Sequence, residues 1–379
     1  MSAIDELAQY REEMLRCSRC GYCQAACPVY EALRREPMTA RGRIQLLRAL
    51  SEGSLPPSPT LSRLVYCCTD CQSCGVTCPA GVRTEEIFAA GRQALAESDC
   101  LPPTLSVLQE RIESSHNISG EPNENRLLWA ENLSTRPDDL VGKEGAEVLL
   151  FTGCVSALYP MAYGILQDLV EILVAAEVNF TTLGTDEWCC GYPLLSAGLP
   201  FTDVMAHNLE AVKATGARTL VTTCPSCYHM WKHKYSPDFV RVMHSTEFLA
   251  DLVEAGRVPL RRLEMRVTYH DPCDLGRKSQ VYDAPRRLIR AIPGVELVEM
   301  EDSRQNAMCC GGGGNLESLD ADLSRAIARR RLEQAQAVGA EAIVSACQQC
   351  ERTLSMAARR EKIRLKVMDV VQLLRAALA

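Results

Sequence analysis

Eight cysteines near the amino terminus fall into two runs of one pattern. CSRCGYCQAACP supplies Cys17, Cys20, Cys23 and Cys27, followed by Pro28. CTDCQSCGVTCP supplies Cys68, Cys71, Cys74 and Cys78, followed by Pro79. This C-x2-C-x2-C-x3-C-P spacing lets thiolates wrap a cubane iron–sulfur cluster, and where two such runs occur the fourth cysteine of each ligates the other cluster. The spacing therefore predicts two cubane [4Fe-4S] clusters, one held by Cys17, Cys20, Cys23 and Cys78 and the other by Cys68, Cys71, Cys74 and Cys27. Zinc is the competing occupant, but zinc sites usually pair two short knuckles rather than crowding three cysteines into one run.

Ten further cysteines form a second pattern, written twice. Cys154, the adjacent pair Cys189 and Cys190, and then Cys224 and Cys227 recur as Cys273, Cys309 and Cys310, and Cys347 and Cys350. The copies read C-x34-CCG-x32-CxxC and C-x35-CCG-x35-CxxC, with corresponding cysteines 119 to 123 residues apart. Adjacent cysteines do not easily reach relaxed disulfide geometry, so each pair is expected as two thiolates side by side. Each set offers five sulfurs, one more than a tetrahedral zinc or a cubane cluster takes. Neighbouring thiolates can bind adjacent irons or bridge two of them, which suits a less symmetric cluster. A zinc site with a spare cysteine stays open on spacing alone. Gly191 and Gly311 follow the pairs directly, where the lack of a Cβ lets backbone approach inorganic sulfide. Cys67 and Cys100 are left over and read as packing residues.

These sulfurs need elements to carry them. In residues 1–100, MTARGRIQLLRALSEG has helical apolar spacing. RTEEIFAAGRQALAES reads as a second helix opened by Thr84, with Glu85 and Glu86 in its first turn. Residues 101–145 form a turn-rich connector in which Trp129 and nearby leucines should pin the chain to a neighbour. In residues 146–262 and 263–379 the β-rich runs AEVLLFTGCV and MRVTYHDPCD deliver Cys154 and Cys273. The runs RTLVTTCPSC and EAIVSACQQC deliver the CxxC cysteines. Strand and helix alternate in both stretches, which predicts two α/β units with mostly parallel strands and ligands at the strand ends. The expected fold class is an α+β multidomain chain, with an α-helical ferredoxin-like domain followed by two tandem α/β repeats.

Composition narrows the function classes. The chain has 379 residues, 47% hydrophobic and 5% aromatic, with a net charge of −7. No basic stripe or stacking platform favours nucleic acid. The N-terminal MSAIDELAQYREEM lacks an apolar export core, so the cysteines read as metal ligands in a cytoplasmic protein rather than as disulfides. Val148 to Gln167 carries no charged residue, but Gly153, Pro160 and Gly164 interrupt it. It reads as a strand, a loop and the start of a helix rather than a membrane span.

With its two CCG motifs, the chain resembles the heterodisulfide reductase family over nearly its full length, matching its D-type subunit or, equivalently, a fusion of its C- and B-type subunits. The sequences YHDPCDLGR, CCGGGGN and NISGEPNENRLLW carry the same resemblance. It implies that each five-cysteine set belongs to a CCG domain and binds a noncubane [4Fe-4S] cluster, two fused smaller units sharing an iron. One such cluster would take Cys154, Cys189, Cys190, Cys224 and Cys227, and the second Cys273, Cys309, Cys310, Cys347 and Cys350. Related subunits of glycolate oxidase and anaerobic glycerol-3-phosphate dehydrogenase often lack the CxxC cysteines. All ten are kept here, which favours the reductase branch. Asp274 stands where many relatives have histidine.

Three further features are weighed. CCGGGGNL lacks both the G-x-G-x-x-G spacing and a P-loop lysine, so its glycines are expected around a cluster rather than a nucleotide. His229 and His233 lack the glutamate of a zincin and read as exposed helix histidines. His270 reads as a histidine hydrogen-bonded at a strand end. The function expected is an iron–sulfur electron-transfer subunit of a redox complex, working with a flavoprotein partner because no flavin or nicotinamide motif is evident in the sequence. The alternatives are a disulfide (heterodisulfide) reductase, the iron–sulfur subunit of an FAD-linked 2-hydroxy-acid oxidase, and a zinc-bearing scaffold.

Overall fold

The computed structural model describes residues 2–379. The chain divides into two compact units. The first comprises Met1–Glu110, Pro193–Phe201 and Asp302–Arg331, and the second Arg111–Tyr192, Thr202–Glu301 and Leu332–Ala379.

Helices Ala3–Ala8, Ala40–Ser51, Pro59–Tyr66 and Thr84–Glu97 build the first unit. Their starts follow from side chains that satisfy free backbone N–H groups. Ser2 and Asp5 form a capping box, Thr39 accepts from Gly42 N–H, and Ser58 accepts from Leu61 N–H ahead of Pro59. Leu7, Ile44, Leu47, Val65, Ile87 and Leu95 lie in one buried core. The Tyr66 hydroxyl reaches the carbonyls of Arg92 and Ala197, at 2.9 and 2.8 Å. Cys67 is packed among Val29, Met38, Leu316, Leu323 and Ile327. The last of these helices opens at Thr84 with Glu85 and Glu86 in its first turn, as the sequence reads. Arg83 occupies the cap position, and the Thr84 hydroxyl lies 3.4 Å from Cys74 Sγ.

Two parallel sheets organise the second unit. The first contains β1 (Val148–Phe151), β2 (Phe180–Thr182), β3 (Thr219–Thr222) and β4 (Arg241–His244) in the order β2-β1-β3-β4. The second contains β5 (Met265–His270), β6 (Val295–Leu297), β7 (Ala342–Ser345) and β8 (Lys366–Asp369) in the order β6-β5-β7-β8. Every pairing is parallel. The sequence repeat is thus a repeat of topology. β1 and β7 are buried along their whole length, which is why they read as unbroken apolar runs rather than alternating ones.

Helix contacts pair the repeats reciprocally. Tyr163–Ala175, which follows β1, packs on Val370–Ala376, which follows β8; Ser245–Glu254, after β4, packs on Asp283–Ala291, after β5. The uncharged Val148–Gln167 stretch becomes β1, a short helix at Cys154–Leu158 and the start of Tyr163–Ala175. Among the described residues no helix is long and apolar enough to cross a membrane.

Buried acids in this unit make its stability pH-dependent. Burial, with Asp369 nearby, pushes the Glu351 carboxyl up to about 8; burial pushes Asp369 up to about 7 and Asp168 up to about 6. Gln372 and Arg375 work the other way on Glu351 and Asp168, respectively. A carboxyl raised on folding holds its proton in the folded state after the unfolded chain has lost it. Stability is therefore full below the unfolded value, near 4, and declines as pH rises towards 8. Glu351→Gln should flatten that decline, gaining on the order of 2 kcal/mol at pH 8.5 and much less at pH 5.5. Thermal unfolding of anaerobic protein at the two pH values checks this, and an unchanged pH slope would contradict it.

Candidate iron–sulfur centres

In the first unit the two cysteine runs line two cavities. One, of about 370 Å³ counted to its open mouth, is bordered by Cys17, Cys20, Cys23, Cys74 and Cys78. The other, of about 420 Å³, is bordered by Cys27, Cys68, Cys71 and Cys74. Each cavity thus contains the first three cysteines of one run and the last cysteine of the other, with Cys74 on both walls. Burial pushes the thiols of Cys23 and Cys27 up, Cys27 to about 11, while backbone N–H groups around the exposed Cys20 hold its thiol below the usual range. Arg41 stands on the wall of the first cavity and the buried Arg43 on that of the second.

In the second unit, Cys154, Cys189, Cys190, Cys224 and Cys227 come together. Cys154 opens the helix after β1, the adjacent pair follows the Gly184–Asp186 turn after β2, and Cys224 caps the Pro225–His229 helix after β3. All five sulfurs therefore arrive beyond the carboxyl ends of parallel strands, where such sheets leave a crevice. They form one string of contacts, Cys154 to Cys189 to Cys190 to Cys227 to Cys224. The protons along it are shared unequally. Hydrogen bonds from Cys189 and Cys227 pull Cys190 down to about 6, and Cys227 likewise lowers Cys224, whereas donation and burial push Cys154 and Cys227 well up. Backbone N–H groups add further donors: Ile118 to Cys154, Gly191 to Cys189, Tyr192 to Cys190, and Ser226 and Cys227 to Cys224. Five sulfurs ringed by donors fit a multinuclear thiolate-bound centre better than a single tetrahedral ion.

Sequence reasoning missed the charged residues behind this string. Arg126, in the 3₁₀ segment Asn123–Asn132, is 1% exposed and donates Nη2 to Cys154 Sγ at 3.2 Å. Its Nη1 donates to Glu187 Oε1 at 2.9 Å, and Glu187 also accepts from the N–H groups of Thr152 and Gly153. Burial pushes the Glu187 carboxyl up, against Arg126 and those two donors. The only sequence signal was contrast: DEWCC in the first repeat against NAMCC in the second.

A polar cluster borders Cys224. Asp274 accepts from the hydroxyls of Tyr192 and Ser226, at 3.0 and 2.6 Å, and lies 3.4 Å from the buried Lys278 Nζ. Burial works to raise its carboxyl, but Lys278 and the hydroxyls hold it below the ordinary range. His229 is not an exposed helix histidine. It is 6% exposed, and both its ring nitrogens lack a hydrogen-bond partner. The cause is local: the helix passes into a π-helical turn at Met230–Tyr235, which displaces the simple i, i+4 surface reading. His233, by contrast, is exposed, as the sequence reading expects.

The cysteines of the second set divide between the units. Cys273 follows β5, and Cys347 and Cys350 follow β7, with Cys350 N–H donating to Cys347 Sγ at 3.4 Å. Cys309 and Cys310 belong to the first unit, where the N–H groups of Gly311 and Gly312 point at their respective sulfurs, each at 3.4 Å. Gly311 has φ +91°, and a Cβ there would collide with the Ser324 carbonyl, so its glycine serves the backbone path as well as the sulfur. His270 ends β5, buried, its carbonyl accepting from Ser345 Oγ at 3.3 Å.

Gly153 offers the sharper test of the first set. Its φ of 71° and ψ of 158° lie in a region that is essentially glycine-only, and an added Cβ would sit 3.3 Å from Cys227 Sγ. Gly153→Ala should cost about 1–3 kcal/mol. It should also lower iron bound by the second unit while leaving the first unit's iron intact, as read by metal analysis with EPR; full iron at wild-type stability would contradict this.

Comparison with family profiles matches a 4Fe-4S dicluster domain to residues 13–82 and the cysteine-rich CCG domain to residues 148–232 and 267–355. The chain is 31% identical to the D-type subunit of dihydromethanophenazine:CoB–CoM heterodisulfide reductase from Methanosarcina barkeri, over 97% of this chain and 94% of that one. It is 27% identical to the EtfAB:quinone oxidoreductase of Syntrophomonas wolfei, over 94% of this chain and 57% of the relative. The B-type subunit of fumarate reductase (CoM/CoB) from Methanothermobacter marburgensis is 26% identical, over 97% of this chain and 73% of its own length. These likenesses run through the helical block and both repeats, and the chain belongs to the family of iron–sulfur proteins typified by the D-type subunits of heterodisulfide reductase.

Proposed function

We propose that this chain is the iron–sulfur electron-transfer subunit of a cytoplasmic heterodisulfide-reductase-like complex, carrying electrons between a flavoprotein partner and noncubane [4Fe-4S] clusters. The observation that carries this reading is the unbroken string of five sulfurs in the first CCG set, four of them on buried cysteines and the last on the half-buried Cys224. Four clusters are assigned. Cys17, Cys20, Cys23 and Cys78 take one cubane cluster, and Cys68, Cys71, Cys74 and Cys27 the other, in keeping with the two cavities. Each CCG set takes a noncubane cluster. Bound clusters supply one-electron storage, and the chain's own part is to fix their spacing, burial and hydrogen bonds. The reductase relative is itself one subunit among others, and the Syntrophomonas wolfei relative is named for EtfAB, both of which support a protein partner.

A second reading is disulfide reduction at the CCG clusters, in which a disulfide takes up two electrons and two protons to give two thiols. The polar cluster of Tyr192, Asp274, Lys278 and Ser226 favours it, since it places exchangeable protons beside Cys224. Turnover of small disulfides by cluster-replete protein separates the two readings.

Anaerobic isolation of the complex from native cells, followed by mass spectrometry and reduction kinetics, tests the main proposal. A flavin-bearing partner that exchanges electrons with this chain is expected. A partner that is an FAD-linked hydroxy-acid oxidase would place the chain in the oxidase branch instead. Within the chain, Cys189→Ala or Cys309→Ala should each remove about four irons and spare the cubane signals. Loss of all iron from folded protein would contradict the assignment.

A further inference from the structure

We propose that Arg126, supplied by the connector, raises the reduction potential of the cluster at the first CCG set. The inference rests on the reading above that these five cysteines hold an iron–sulfur cluster. All three arms of the guanidinium are placed. Nε donates to Asn123 Oδ1 at 2.8 Å, Nη1 to Glu187 Oε1 at 2.9 Å, and Nη2 to Cys154 Sγ at 3.2 Å. Arginine usually grips a carboxylate with two parallel bonds. Here one arm is turned away from Glu187, whose other oxygen accepts from Thr152 N–H at 2.7 Å, and the freed arm goes to the sulfur.

Fold stability alone explains this arrangement poorly. Removing an arginine and a glutamate from water costs several kcal/mol per ion, and apolar residues of similar volume often do as well or better. An N–H and a positive charge on a ligand sulfur act on redox chemistry directly. Reduction adds negative charge to a cluster, so a buried cation and a hydrogen bond at its sulfur favour the reduced state. Burial strengthens the effect, because little water screens it.

The second repeat replaces the residues that brace Arg126. The position of Glu187, two before the adjacent pair, is Ala307, and the position of Gly153, whose N–H serves Glu187, is Pro272. In the second repeat the buried Arg286 grips Asp271 through both terminal nitrogens, at 2.7 and 2.9 Å, and also binds Glu299. Two carboxylates therefore offset Arg286, whereas Arg126 has one carboxylate and a sulfur.

The test is an EPR-monitored redox titration of the full-length, anaerobically prepared protein, with iron counted in every sample. The first-set signal is identified as the one missing from Cys154→Ala. In Arg126→Met the ratio of reduced to oxidised first-set cluster, at the wild-type midpoint, should fall at least tenfold, about 59 mV for one electron. Arg126→Lys, which keeps the charge, should fall less. Glu187→Gln removes the opposing charge and should raise the ratio. Signals from the cubane clusters should stay where they are. An unmoved midpoint in iron-replete Arg126→Met would overturn the inference alone. If that variant fails to hold its first-set iron, Glu187→Gln decides, and an unchanged or lower ratio there overturns it. Wild-type protein whose iron fills only the cubane sites would overturn both this inference and the reading it rests on.

Discussion

Buried sulfurs in mutual contact are the constraint on which the rest of this chain is arranged. Five thiolates packed together repel one another strongly in a site with little water, and five thiols there bind one another only weakly. The string from Cys154 to Cys224 shows the conflict, with some sulfurs pushed towards thiolate and others held as thiols. A cationic inorganic core relieves it, since every sulfur can then be a thiolate facing positive iron. The parallel sheets bring the sulfurs to strand ends, the N–H groups of Ile118, Gly191 and Tyr192 point inward, and Gly153 takes a backbone path that other residues resist.

The sequence repeat gives two sheets of one plan, and substitution made their surroundings differ. The sheets share strand order and pairing sense, so each repeat has the same places for cysteine. What surrounds those places has diverged. In the first repeat a carboxylate at Glu187 needs the N–H of Gly153; in the second, Pro272 has no N–H to give and Ala307 has no carboxylate to receive it. The two changes suit each other, because alanine in place of Glu187 would leave the buried Gly153 N–H without its carboxylate acceptor, and a proline has no N–H to strand. Asp271 carries the carboxylate instead and pairs with Arg286.

Local chemistry was legible in the sequence, and long-range chemistry was not. Which cysteines share a cavity could be read because the rule is written in a spacing of two and three residues, and the strands because buried parallel strands are unbroken apolar runs. Arg126 could not be read. It lies 28 residues before Cys154, in a connector whose Asn, Gly and Pro content signals only turns, and its role depends on a fold that brings Asn123–Asn132 to the end of β1. His229 was misjudged for a related reason. Its spacing from His233 suits a regular helix surface, and the π-helical turn that follows it has no sequence signature. Thr84 opens its helix as the sequence reads, but nothing local signals that its hydroxyl lies beside Cys74.

The charge balance around these sites runs against that of the chain. A net charge of −7 suggests an acidic protein, yet a guanidinium stands at each cysteine-lined cavity of the first unit and at the first CCG set: Arg41, Arg43 and Arg126. Arg43 is buried and gives its donors to the carbonyls of Met38, Leu64 and Cys67 rather than to a carboxylate. Four thiolates outweigh the positive charge of a cubane core, and an anionic centre needs compensation that distant surface charge, screened by water, does not give. Placing single cations within reach of the sulfurs meets that need locally and leaves the surface free to stay acidic. It also gives each centre its own electrostatic setting, which the proposed electron-transfer role requires if their potentials are to differ.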